Sequence, residues 1–140
     1  MLESIMLCLA LNIYHEARNQ PVKGQIAVSH VVLNRVVDPR YPNDICSVIK
    51  QGQKTKSGKM IINKCQFSWY CDGKSDHPKD NDAFRWAMHI SMGIIYGQFP
   101  DESDGATHYH SDKVSPDWKI DKVKTRTIGN HIFYKWLKEY

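Results

Sequence analysis

Glu16 stands in Ile13-Tyr14-His15-Glu16-Ala17-Arg18, at the end of an apolar run that starts near Ile5. Asn19-Gln20-Pro21 follows at once, and proline disfavours helical geometry in the residue before it. The spacing therefore predicts a buried helix from about Ser4 to Arg18, with Glu16 in its last turn. The negative end of a helix dipole disfavours a carboxylate, so an acid there holds its proton more tightly than usual. A carboxylic acid that stays protonated near neutral pH is the group that cleavage of a glycosidic bond requires.

Two other stretches carry side chains able to meet a sugar. In Cys65-Gln66-Phe67-Ser68-Trp69-Tyr70-Cys71-Asp72, alternation aims Gln66 and Ser68 the same way, as hydrogen-bonding groups for N-acetyl substituents. Trp69 or Tyr70 offers an aromatic face for stacking. In Thr107-His108-Tyr109-His110, an extended chain puts His108 and His110 on one face and Tyr109 on the other. Tyr109 is a donor for Glu16 or substrate and His110 a cleft-lining residue, but a straight strand cannot turn both inward. Arg18, two residues after Glu16, points to a different helix face; it either anchors the Asn19–Pro21 loop or binds a substrate carboxylate. His15 and His131 read as hydrogen-bonded structural residues, and Trp86, Phe133, Tyr134 and Trp136 as packing residues.

The elements that must hold these groups follow from periodicity. A second helix is predicted from about Lys23 to Val37, with Ile26, Ala27, Val31, Leu33 and Val36 near helical spacing. Asp38-Pro39-Arg40-Tyr41-Pro42 closes it, and a short helix from Asn43 to Gln51 is capped by Asn43 or Asp44. Gly52 to Lys64 is a polar loop or weak hairpin. The clearest helix runs from Asn81 to Tyr96, capped by Asn81 or Asp82 and stopped by Gly97. Ala106–His110 and Val123–Tyr134 are extended, with a turn at Gly129-Asn130. The expected fold class is α+β, mainly helical, with a small β portion toward the C-terminus.

Composition narrows the function classes. A chain of 140 residues is one domain by length, and one of this size buries about two-thirds of its unfolded surface. Its 41% hydrophobic and 24% charged residues are globular values. No apolar run approaches the ~20 residues that span a bilayer. Met1 to Leu11 is apolar, but Glu3 replaces a basic start and no small-residue cleavage site follows, so no signal peptide is expected. The net charge of +4 owes much to Lys50, Lys54, Lys56, Lys59 and Lys64. That run reads as a solvated loop or as a surface for a polyanion: wall polymer, anionic membrane or nucleic acid. Nucleic acid is the weakest partner, because the run holds no aromatic residue for stacking. Of the four cysteines, Cys8 reads as a core residue. A bridge from Cys65 to Cys71, or from Cys46 to one of them, leaves one thiol unpaired.

The chain resembles the bacterial and phage cell wall hydrolases typified by the spore-cortex lytic enzyme SleB. The similarity is carried in order by Tyr14-His15-Glu16-Ala17-Arg18, Gly24-Gln25-Ile26-Ala27-Val28 and Val32-Leu33-Asn34-Arg35-Val36. Tyr41-Pro42, Cys46-Ser47-Val48-Ile49 and the Cys65–Gly73 stretch continue it. Ala106-Thr107-His108-Tyr109-His110, Pro116 with Trp118, and Ile128 to Tyr134 complete it, over roughly residues 5 to 136. The resemblance implies a lysozyme-like or lytic-transglycosylase-like fold and attack on the β-1,4 bond between N-acetylmuramic acid and N-acetylglucosamine. It implies that Glu16 is the catalytic acid, and it favours Tyr109 over His110 by likeness to the tyrosine that assists Glu in transglycosylases.

On this reading the chain is a single catalytic domain over residues 1–140, without a separate peptidoglycan-binding module, cofactor or metal. Its partner is the peptidoglycan glycan strand; nucleic acid and membrane insertion are not expected, and the protein is expected to be a monomer. It would be made in the cytoplasm and act on the wall, as a phage endolysin released through a holin does. A lytic transglycosylase needs Glu16 alone. A hydrolytic muramidase needs a second carboxylate, for which Asp72 is the best candidate. The rival classes are a zinc amidase or peptidase using His108, His110 and His131, a thiol peptidase using Cys65 or Cys71, and a non-catalytic glycan-binding module.

Overall fold

The computed structural model describes residues 2–138. Met1, Glu139 and Tyr140, at the ends of the expected 1–140 domain, lie outside the described residues. Helix α1 (Leu2–Ala17) runs through the centre, with Leu9, Ala10, Asn12, Ile13, Tyr14 and Ala17 buried. Helix α2 (Val22–Val36) begins directly after Pro21, whose fixed φ suits the start of a helix. The short α3 (Ile45–Ile49) is capped by Asp44, whose side chain accepts from the Ser47 amide. Strands β1 (Gly52–Lys54) and β2 (Met60–Cys65) make an antiparallel hairpin, the stronger form of the expected polar excursion. A 3₁₀ turn over Ser68–Cys71 follows. Helix α4 (Asn81–Ile95) packs along α1. Its cap is Asp80, which accepts from the Ala83 amide at 3.0 Å, just before the expected caps Asn81 and Asp82.

The C-terminal third is a three-stranded antiparallel sheet in the order β3 (His108–Ser111), β5 (His131–Trp136), β4 (Lys122–Ile128). The turn between β4 and β5 is the Gly129-Asn130 pair, with Gly129 at φ +56°. A Cβ there would lie 2.9 Å from the Pro21 ring, so glycine lets the turn sit against the α1–α2 corner. The Asn130 amide donates to Gln20 Oε1 at 3.0 Å.

Two hydrophobic clusters result. The larger joins α1, α3 and α4 with Phe67 and Trp69; the smaller joins Ala17 and α2 (Ala27, Val28, Val31) to Ala106, Ile128 and Phe133. Tyr109 packs against both, so the seam between them lies where α1 ends.

The expected Cys65–Cys71 bridge forms, whereas Cys8, expected as a core residue, is itself bridged. Cys8 is bridged to Cys46, and Cys65 to Cys71, leaving no free thiol. Cys8 sits on the α1 face that meets α3, which periodicity alone assigned to the core. Bridging cysteines 38 apart removes more freedom from the unfolded chain than bridging cysteines 6 apart. The double variant Cys8→Ala/Cys46→Ala should therefore lose roughly 3–4 kcal/mol. Cys65→Ala/Cys71→Ala should lose less, as read by denaturant unfolding of both variants.

Candidate active site

Glu16 projects from the last turn of α1 and is only partly exposed. The Tyr109 hydroxyl, from β3, donates to Glu16 Oε1. Burial raises the Glu16 pKa, while the Tyr109 hydrogen bond and the positive charge of Arg35 pull it down. The raised value agrees with the expectation from the sequence, but its leading cause is desolvation. Tyr109 stays a neutral donor: burial, then the Glu16 charge, hold its pKa well above the ordinary value for tyrosine. Its ring is held by Phe133 and His131, at 5.5 and 4.9 Å between centroids.

Arg35 is the residue that sequence reasoning passed over. It lies in the last turn of α2 and is 5% exposed. Its Nε donates to the Thr107 carbonyl at 2.7 Å, and Nη1 to Gln66 Oε1 at 3.4 Å. The guanidinium lies over the rings of Tyr41 and Phe67. The signal for it was available: the buried positions Val28, Val31 and Val32 continue onto the arginine one turn later. A charged residue on an apolar stripe is the informative exception to burial.

Gln66 thus joins the site through Arg35, and Ser68 stands exposed at the start of the 3₁₀ turn. Trp69 differs from the platform expected of it. It is 8% exposed, donates from Nε1 to Asn12 Oδ1 at 2.9 Å and stacks on His15. The 3₁₀ turn directs its indole inward, so it anchors the loop to α1 and leaves little free ring face. Arg18 is exposed and folds back on its own helix, donating to the Tyr14 carbonyl at 3.2 Å with its cation over the Tyr14 ring. It does not anchor the Asn19–Pro21 loop; it lines a groove with His15, Trp69, Asp72 and Asp76.

Asp72 is not among the groups that shift the Glu16 pKa. The influences on Glu16 are burial, the Tyr109 hydrogen bond and the charge of Arg35, whereas the Asp72 charge acts on Asp76. The Asp72 carboxylate accepts instead from the Lys74 amide at 2.9 Å.

His110 lies on the other face of the sheet, as strand alternation requires of a neighbour of Tyr109. It is 8% exposed, contacts the Tyr134 hydroxyl at 3.0 Å and stacks on that ring. It is a packing residue and does not line a cleft beside Tyr109. His108 shares that face with Trp118 and Trp136; burial, then the cations Arg35 and Lys122, lower its pKa to about 3. His15 is hydrogen-bonded, to the Asp76 carbonyl at 2.9 Å. His131 differs: its Nδ1 is buried without a partner among the described residues, and burial lowers its pKa.

The rival chemistries lose their residues. Among the described residues no three His, Cys, Asp or Glu side chains converge as metal donors, because His108 and His110 face away from the side that holds Tyr109 and His131. Cys65 and Cys71 are bonded to each other, so neither is a free nucleophile.

The fold and site define a lysozyme-like α+β protein with one desolvated acid where its two cores meet. The chain belongs to the Cell Wall Hydrolase family, whose model matches residues 19–134. Glu16 precedes the matched segment, so this match does not bear on it. The chain is 31% identical over 126 residues to a spore cortex-lytic enzyme of Halalkalibacterium halodurans, covering 89% of this chain and 33% of that protein. It is 29% identical over 125 residues to the Bacillus subtilis enzyme of the same name, covering 89% and 35%. It thus spans about a third of the length of these relatives. The structure of the catalytic domain of a germination-specific lytic transglycosylase, SleB from Bacillus anthracis, superposes with a TM-score of 0.72. That match has 27% identity and covers 95% of each chain. The catalytic domain of Bacillus cereus SleB matches with a TM-score of 0.67 and 25% identity, over 95% and 91%.

A raised carboxyl pKa in the folded state has a signed consequence. Below the unfolded value of about 4.5 both states are protonated and burial costs nothing extra. Above it the unfolded chain ionises first, so stability is lost as pH rises through the folded pKa. Glu16→Gln should therefore match the wild type in thermal unfolding at pH 4 and exceed it at pH 7.5. An equal or lower Tm at pH 7.5 would contradict a desolvated acid.

Proposed function

We propose that this protein cleaves peptidoglycan glycan strands between N-acetylmuramic acid and N-acetylglucosamine as a lytic transglycosylase. The observation that carries the reading is the setting of Glu16: burial raises its pKa, the Tyr109 hydroxyl donates to it and the Arg35 charge acts on it, with no carboxylate among these influences. Retaining hydrolysis requires two carboxyl groups about 5–5.5 Å apart, and inverting hydrolysis requires a second one placed to activate water. A transglycosylase requires neither.

Tyr109 occupies Oε1, which leaves the acidic proton on Oε2 for substrate. Glu16 gives that proton to the bridging oxygen as the bond from C1 of the muramic residue breaks. The oxocarbenium-like centre is then captured by the same sugar's C6 hydroxyl. The hydroxyl proton passes to the Glu16 carboxylate, closing a 1,6-anhydro ring and restoring the acid without consuming water. Arg35 stabilises the carboxylate that exists between the two transfers, and burial restores its proton affinity afterwards. Gln66, Ser68 and Arg18 are the groups we assign to substrate binding. Two disulfides fit a protein that works in an oxidising compartment, where the wall lies.

Digestion of purified peptidoglycan tests the reaction. Mass spectrometry of the soluble products should find 1,6-anhydromuramic ends, and Glu16→Gln should abolish them. Products heavier by one water, with reducing muramic ends, would instead demand a second carboxylate and return Asp72 to the reaction. Arg35→Lys keeps the charge and loses the bridge between Thr107 and Gln66. It should lower kcat about tenfold or more and displace the pH optimum, whereas a purely structural arginine would leave the optimum in place.

A further inference from the structure

The β1–β2 hairpin and the α3 cap just before it carry a concentration of charge that the cleavage chemistry does not use. Lys50, Lys54, Lys56, Lys59 and Lys64 are all exposed, and none has an ion-pair partner among the described residues. No acidic residue occurs between Asp44 and Asp72. Set these five lysines aside and the net charge of +4 becomes −1. The net positive charge therefore rests on the hairpin together with the Lys50 cap of α3 that precedes it.

Its position ties that charge to the cleft. Gln66 follows β2 directly, and its side chain accepts from Arg35, whose charge acts on Glu16. The Cys65–Cys71 bridge and the hydrogen bond from the Gln66 amide to the Gln51 carbonyl hold the hairpin base. With six residues in β2, the hairpin reaches roughly 20 Å beyond its base at Gln66 and carries Lys54, Lys56, Lys59 and Lys64 along that strip.

We propose that this strip is an electrostatic docking arm for the free carboxylates of the peptide stems on the strand held in the cleft. The proposal rests on the reading of the site given above. Several features favour this partner. The hairpin base is tied to the site through Gln66 and Arg35, which puts its cations within reach of anionic groups borne by a bound strand. Its cations are all lysines, flexible point charges suited to carboxylates at variable positions; arginine, which reads fixed bidentate geometry, is absent from 41–84. A membrane would need an apolar face, and Ile62 is the one large exposed hydrophobic side chain on the hairpin. A nucleic acid would find no aromatic residue to stack on.

The test is co-sedimentation of the non-cleaving Glu16→Gln protein with purified wall sacculi, compared with the same protein carrying K54Q, K56Q and K59Q. Sacculi are used stripped of phosphate polymers by hydrofluoric acid, and stripped with their peptide carboxyls then amidated. Binding should survive stripping and fall about tenfold on amidation. The lysine variant should bind stripped sacculi as weakly as its parent binds amidated ones, with the difference gone near 0.5 M salt. Binding lost on stripping would assign the arm to a phosphate polymer and overturn the proposal. Equal binding by the two proteins, or tighter hairpin-dependent binding to phosphatidylglycerol vesicles, would overturn it as well. Cleavage products are read separately with the wild-type enzyme. A failure of the glycan-cleaving reading is thus distinguishable from a failure of the docking arm.

Discussion

A carboxyl group and a guanidinium share one desolvated corner of this protein, and the surrounding architecture meets the cost of keeping them there. Taking either charge out of water costs several kcal/mol unless partners replace the lost solvation. Arg35 is supplied by the Thr107 carbonyl, the Gln66 side chain and two aromatic faces. Glu16 is supplied by the Tyr109 hydroxyl and by the nearby charge of Arg35. These partners come from α1, α2, β3 and the loop after β2, so none of those elements can shift without exposing or orphaning a buried charge.

The two hydrophobic clusters meet at that corner. Tyr109 belongs to the edge of both, and Ala17, the neighbour of Glu16, belongs to the smaller one. This arrangement allows opposing influences on a single acid. Apolar walls hold the proton on, while a phenol and a guanidinium make its departure tolerable. A stronger cation contact would leave a permanently ionised carboxylate, and a drier pocket would leave an acid that never gave up its proton.

The sheet separates two kinds of residue by its pleat. Tyr109, Phe133 and His131 face the seam, while His108, His110, Tyr134 and Trp118 build an aromatic block on the opposite side. That block is braced by Lys122, whose ammonium lies 3.7 Å from the centre of the Trp136 ring. Histidine chemistry suggested by the bare motif is therefore spent on packing, and the site retains a tyrosine and a glutamate.

Much of this was legible in the residues themselves. Apolar periodicity and proline placement located α1 and α2 and put Glu16 at a helix end, because those signals act over a few neighbouring residues. Strand alternation established that Tyr109 and His110 oppose each other, since the period of two is a property of the extended backbone. Which helix faces would meet was not local information. That choice paired Cys8 with Cys46, turned Trp69 inward onto Asn12 and His15, and brought Arg35 from α2 to the acid on α1. The sequence determined where an acid could sit and which side chains could share its face. Only the tertiary structure decided how dry that acid would be and which charge would stand beside it, because desolvation and through-space attraction depend on residues far apart in the chain.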